Sequence, residues 1–373
     1  MSTAPQKQVT TLRALVTDDS ALYRRMLSDI LKAIPGVEVV GCAFDGEDCL
    51  TQAEKFRPDF ITLDMQMPRR DGLSTLEEIK RRKLPAEVIM VCSPTTESAE
   101  QTLRALRMGA LDMILKPSAN DLSENKRNLE SQLLNQVQTV RARSGRKSLG
   151  TVSESSSVRI TPPVSVPKSP AGSLRFPTPK CVCIGVSTGG PAALGSVLAG
   201  LPGDLPVPIF IVQHMPPVFT KSLAEHLNRS GQIRVSEAIN HEIAENGHVY
   251  IAPGGKQMRV ERKPIGFQIQ VTDDPPVGAC KPSVDYLFDS VHRAVGGEAL
   301  AIILTGMGSD GLAGCKKLHA SGARILAQDA DSCVVYGMPR QIVEHKLAHE
   351  VLSLSAFAGR ITHLFSKQKV LCS

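Results

Sequence analysis

Two α/β domains are predicted from the sequence, the first a doubly wound, five-stranded parallel-sheet domain and the second a mostly parallel, Rossmann-like one. Three observations predict them. Short apolar runs alternate with amphipathic stretches in both halves, the runs end in acids or in hydroxyl-bearing glycine turns, and a Ser/Pro-rich segment without apolar periodicity divides the halves. Strands alternating with helices imply parallel sheets with right-handed crossovers, and ligands then bind beyond the carboxyl ends of the strands.

In the first half, "LRALVTDD" reads as a strand ending in Asp18 and Asp19, and "ALYRRMLSDILKAI" as an amphipathic helix. "VEVVGCA" is a strand, "EDCLTQAEKF" a helix, and "DFITLD" a strand ending at Asp64. "VIMVC" and "LDMILKP" complete five strands, the last ending at Lys116. Leu129, Leu133, Val137 and Val140 recur at helical spacing and mark the closing helix. The boundaries expected are 10–143 for this domain, 144–179 for a flexible tether rich in Ser, Pro and basic residues, and 180–366 for the second domain.

In the second half, "KCVCIGVS" is a strand ending at Ser187, and "GPAALGSVLAGL" opens a helix with Pro191 in its first turn. "VPIFIVQH" is a strand ending in His214, and "EALAIILTGMGSDG" a strand whose glycine turn holds Asp310. A phosphate loop is the rival reading of the Ser187 turn, but there is neither a GxGxxG nor a Walker lysine.

The 373 residues, 42% of them hydrophobic, suffice for two cores. No apolar run approaches the roughly 18 residues of a membrane span, and the N-terminus lacks a signal-peptide pattern, so the protein is expected in the cytoplasm without membrane insertion. Nine cysteines without a CxxC pair argue against a disulfide framework or a zinc site, and most are expected to be buried thiols. The net charge of +6 is modest, and no nucleic-acid partner is expected. A monomer is expected.

Asp18, Asp19 and Asp64 converging at strand ends would repel one another, so a hard cation such as Mg²⁺ is their natural partner, while Lys116 offers a positive charge to an anion. With "DMQMPRRDG" following Asp64, residues 10 to 140 resemble the receiver domain of bacterial response regulators. That resemblance implies Asp64 as phosphoryl acceptor, Asp18, Asp19 and the Gln66 carbonyl as further Mg²⁺ ligands, and Lys116 as a contact to the phosphoryl oxygens. Cys92 stands where receivers usually carry Ser or Thr, as a weaker phosphoryl contact, and Met113 stands where they carry an aromatic residue.

Ser187, His214 and Asp310 are the residue types of a nucleophile, its base and the acid that orients the base. "GVSTG" matches the GxSxG elbow, but the order Ser, His, Asp disfavours the α/β-hydrolase fold. The backbone N–H groups of Thr188 and Met307 are candidates for an oxyanion hole. His226, His241, His248, His292 and His319 are expected to be structural.

"GVSTGGP", "QHMP", "KPSVDYLFDSV", "LTGMGSDG" and "VVYGMPR" closely resemble the catalytic domain of the chemotaxis protein-glutamate methylesterase (CheB) family, over about residues 180 to 365. The resemblance implies hydrolysis of glutamyl methyl esters, and deamidation of glutamines, on chemoreceptors. It also implies activation by a chemotaxis histidine kinase and no cofactor for the esterase step. Gln257 replaces a histidine found in many members, outside the triad, and is expected to alter substrate contacts. A receiver-controlled small-molecule esterase and a non-catalytic binding module remain alternatives. A transcription factor is disfavoured, because the second half has no helix-turn-helix pattern.

Overall fold

The computed structural model describes residues 11–117, 122–149 and 176–369. The first half alternates β1 (Leu12–Thr17), α1 (Ala21–Ala33), β2 (Val37–Ala43), α2 (Gly46–Phe56), β3 (Phe60–Asp64), α3 (Gly72–Arg81), β4 (Glu87–Cys92), α4 (Thr96–Arg107), β5 (Asp112–Leu115) and α5 (Leu122–Leu149). Its strands pair in parallel in the order β2-β1-β3-β4-β5. The order reverses at β1 and β3, and that crevice receives Asp18 and Asp64. Helix starts are capped where the sequence supplies short polar side chains: Ser20 accepts from the Tyr23 amide and Asp71 from that of Ser74. Leu129, Leu133, Val137 and Val140 of α5 are buried as their spacing predicts. The helix continues to Leu149, past the boundary expected at Ser144, and the rest of the expected tether up to residue 175 lies outside the described residues.

The second half comprises β6 (Cys181–Val186), α6 (Gly190–Ala199), β7 (Ile209–Gln213), α7 (Phe219–Ser230), β8 (Arg234–Glu237), β9 (Ile243–Ala244), β10 (His248–Ile251), β11 (Gln257–Lys263), β12 (Gly266–Thr272), α8 (Val284–Val295), β13 (Ala299–Ile303), α9 (Leu312–Ala320), β14 (Arg324–Gln328), α10 (Met338–Glu344), β15 (Glu350–Leu352) and α11 (Phe357–Lys369). Seven strands form a wholly parallel sheet in the order β15-β14-β13-β6-β7-β10-β8. Antiparallel strands form a separate three-stranded sheet, β11-β12-β9. Along β6 the side chains alternate between two cores, Val182, Ile184 and Val186 on one side and Cys181 and Cys183 on the other. Six of the eight described cysteines are buried; Cys42 is exposed and Cys280 half-buried.

The two halves are docked. Helix α4 packs against α6 and α7, and one buried apolar cluster runs from Leu103 and Leu106 of α4 to Leu223 and Leu227 of α7. Thr139 and Arg143 of α5 reach Met307 and Val334, so the chain after β5 also meets the second half. Among the described residues, no helix is long and apolar enough to cross a membrane.

Candidate active site

Strands β6, β7 and β13 are neighbours, so the residues that follow them meet at one edge. The Ser187 turn is drawn tight by Gly190 N–H donating to the Ser187 carbonyl at 2.7 Å. Gly189 has φ +79°, and a Cβ there would lie 2.5 Å from Val334; one on Gly190 would lie 1.8 Å from Gln213 Oε1. Only glycine fits either place. The buried Gln213 side chain donates to the carbonyls of Ser187 (3.0 Å) and His214 (3.3 Å), tying the end of β6 to that of β7. Thr305 completes the frame, its hydroxyl donating to the Thr188 carbonyl at 3.0 Å.

His214 Nε2 is 2.8 Å from Asp310 Oδ2. Asp310 in turn sits on the first turn of α8: Ser283 Oγ (2.9 Å) and the Asp285 amide (2.9 Å) donate to Oδ1, and the Val284 amide (2.7 Å) to Oδ2. A helix N-terminus favours an anion through its free amides and its dipole. Burial pushes the Asp310 carboxyl up, but the hydrogen bond and charge of His214, with the α8 amides, hold it below the usual carboxylate range. Burial disfavours the His214 imidazolium, yet hydrogen bonds and charges from Asp310 and Cys280 raise its pKa to about 9. Among the described residues no hydrogen bond joins Ser187 Oγ to His214, and the Thr188 and Met307 amides have no acceptor. The free amides suit an oxyanion hole.

A cavity of about 680 Å³ joins the two halves, lined by Ser187, His214, Cys280 and Met307 on one side and by Asp112 and Gln136 on the other. Thr188 Oγ1 donates to Asp112 Oδ2 across it at 2.6 Å, and Gln136 Nε2 donates to the same oxygen at 3.1 Å. Burial raises the Asp112 carboxyl above its usual range despite these donors. Thr139 Oγ1 lies 3.3 Å from Met307 Sδ, and Arg143 Nη1 donates to the Val334 carbonyl at 3.2 Å. The first half thus covers the serine's edge.

The other predicted cluster is also assembled. Lys116 Nζ lies 2.7 Å from Asp64 Oδ2 and 2.9 Å from Asp18 Oδ2, and one oxygen each from Asp18, Asp19 and Asp64 fall within 4.8 Å of one another. Burial and the charge of Asp18 raise the Asp64 carboxyl to about 6 against the pull of Lys116. Three carboxylates face one ammonium, and an all-oxygen anionic donor set fits a hard cation such as Mg²⁺. Gln66 follows on the exposed turn after β3. Cys92 is 0% exposed, and its thiol is directed at the Ile114 carbonyl, 3.5 Å away, rather than into the cluster. Met113 is half-buried on β5 beside Asp112.

The Gln257 side chain is wholly buried, so it does not itself face the cavity, and any influence on substrate passes through the residues it holds. It accepts from the Ser283 amide at 2.9 Å and donates to the carbonyls of Pro275 (3.1 Å) and Cys280 (3.3 Å). It braces the loop that leads into α8, and through it the donors to Asp310. Asp112, Cys280, Ser283 and Gln213 were not singled out from the sequence, since none ends an apolar run in a glycine turn.

The CheB methylesterase family profile matches residues 182–361, and the response regulator receiver domain profile matches residues 14–126. The chain is 43% identical over 357 residues to the "Protein-glutamate methylesterase/protein-glutamine glutaminase" of Desulfotalea psychrophila, covering 94% of this chain and 98% of that one. It is 42% identical over 365 residues to the protein of the same name from Bacillus subtilis, covering 96% and 100%. The crystal structure of the Thermotoga maritima CheB methylesterase catalytic domain is similar at 36% identity, covering 50% of this chain and 99% of that one, with a TM-score of 0.49. With both profiles in series, and full-length relatives at this identity, the chain belongs to the CheB methylesterase family, whose catalytic domain here follows a response regulator receiver domain.

Proposed function

We propose that this chain is a phosphorylation-activated serine esterase that hydrolyses glutamyl methyl esters on chemoreceptors and deamidates receptor glutamines. The observation that carries the reading is the His214–Asp310 pair, anchored on the α8 N-terminus, in the same cavity as the turn serine. Ser187 Oγ attacks the ester carbonyl while neutral His214 takes its proton. The oxyanion is received by the Thr188 and Met307 amides. His214 then returns the proton to the leaving methoxide, methanol departs, and water, deprotonated by the same histidine, hydrolyses the acyl-serine. Asp310 stabilises the transient imidazolium.

In the receiver, taken as residues 10–143, Asp64 accepts a phosphoryl group from a chemotaxis histidine kinase. Asp18, Asp19, Asp64 and the Gln66 carbonyl would hold Mg²⁺, which would supply the charge neutralisation that phosphoryl transfer needs. Lys116 pairs with the phosphoryl oxygens, whereas Cys92, whose thiol turns to the Ile114 carbonyl, gives them no contact in this arrangement. The receiver covers the site at rest and moves off when phosphorylated, with the segment between the end of α5 at Leu149 and the catalytic domain, 180–366, as tether. Strand β5 links the two events: Lys116 at one end reaches Asp64, and Asp112, about 13 Å back along the strand, holds Thr188.

The test is methanol release from methylated receptor membranes by wild type and Ser187→Ala, each with a phosphodonor. Loss of roughly 10³-fold or more in Ser187→Ala, with Asp64 phosphorylation intact, is expected. Equal rates would refute the nucleophile.

A further inference from the structure

Cys280 belongs to neither proposed mechanism, yet it is the half-buried thiol in the cavity with Ser187 and His214. Its backbone is fixed on three sides. The Val277 and Cys280 amides exchange hydrogen bonds with each other's carbonyls at 3.1 Å, and the Cys280 carbonyl also accepts from Gln257. One ligand atom each from His214, Cys280 and Asp310 lie within 4.8 Å of one another.

A thiol and an imidazole are the donors of a borderline-soft cation, unlike the three carboxylates of the receiver. Two ligands of one tetrahedral Zn²⁺ stand about 3.3–3.8 Å apart, given zinc–ligand distances of about 2.0–2.3 Å. The 2.8 Å between His214 Nε2 and Asp310 is too short for both to hold one ion, and Asp310 already accepts from Ser283, Val284, Asp285 and His214. Asp310 therefore has the place of the carboxylate that orients a metal-bound histidine, and the other ring nitrogen is left for the ion.

We propose that Cys280 and His214, with Asp310 behind the imidazole, form a Zn²⁺ site whose occupation switches the esterase off. Water on the cavity side completes the coordination. Binding releases the thiol proton, and any proton on the imidazole, to solvent, so affinity rises with pH. The inhibition follows because the ion occupies the lone pair that Ser187 would use, and in this it rests on His214 being the catalytic base.

Metal-free full-length protein is titrated with Co²⁺ to read thiolate-to-cobalt charge-transfer absorption. In parallel, Zn²⁺ is titrated into the phosphodonor-activated methanol assay, with Mg²⁺ held constant. The absorption is expected in wild type and not in Cys280→Ser. The zinc concentration for half-inhibition, relative to each variant's own zinc-free rate, should be at least about tenfold higher in Cys280→Ser. Zinc should also protect Cys280 of wild type from alkylation, read by peptide mass, which needs no variant to fold. Equal inhibition of both proteins, no thiolate band in wild type, or no protection would overturn the site. A band without inhibition would overturn the switch. If Ser187→Ala proved fully active, the triad reading would fail instead, and the cobalt band, which needs no turnover, would still report the site.

Discussion

Thr188→Val removes one hydroxyl from the domain interface and keeps the shape. In the docked arrangement Asp112 loses the 2.6 Å donor and keeps Gln136 and the Met113 amide. In the separated arrangement water replaces it. A half-buried acceptor deprived of one of three donors costs about 1.5 kcal/mol, which loosens docking roughly tenfold. The substitution also sits beside the proposed nucleophile, so the quantity to measure is a ratio: methanol release by residues 176–373 over release by the unphosphorylated full chain, for each variant. An effect on the chemistry cancels in that ratio. If the wild-type ratio is large, Thr188→Val should lower it about tenfold by raising the basal activity of the full chain. A ratio unchanged within about twofold would refute the argument that this contact holds the receiver over the site, since 1 kcal/mol already corresponds to about fivefold.

Three further outcomes are expected. Because His214 must be neutral to act as base and its pKa is raised to about 9, methanol release by the phosphorylated enzyme should climb about tenfold per pH unit below that value and level off above it. Asp310→Asn should move the limb to lower pH while lowering the plateau; a flat profile from pH 6 to 9 would contradict the assignment. Phosphodonor labelling should vanish in Asp64→Ala and after chelation of Mg²⁺, checked by intact mass. Gln257→Ala should cost about 1–3 kcal/mol in thermal or urea unfolding and lower kcat more than it changes KM, because it braces the helix start that holds Asp310; an unchanged kcat would show that the brace is not needed.

The strand-end residues were legible because each closes an apolar run. Asp64 ends a strand, Lys116, Ser187, His214 and Asp310 follow strands, and each parallel sheet brings its own such positions to one edge whatever the helices between. Tertiary docking was not legible. Asp112 opens β5 and reads as a polar strand entry, and its bond to Thr188 spans 76 positions that no local pattern relates. The sheet β11-β12-β9 was not anticipated, although "GFQIQVT" alternates and buries Phe267 and Ile269 on one face of β12. Gln257 differs again: the sequence marks it only as a replacement for a histidine of the resembled family, and nothing local shows that its amide is consumed by three backbone groups of a loop with no periodicity. Cys280 lies in the same loop.

The central claim is a serine nucleophile kept covered by its own receiver, and the rate at which a serine-reactive phosphonate labels the full chain tests both halves of it. Peptide mass mapping should place the adduct on Ser187, with labelling markedly faster once Asp64 is phosphorylated and fastest for residues 176–373. An adduct elsewhere, an unlabelled Ser187 in protein that still releases methanol, or a labelling rate indifferent to phosphorylation and to removal of the receiver would contradict it.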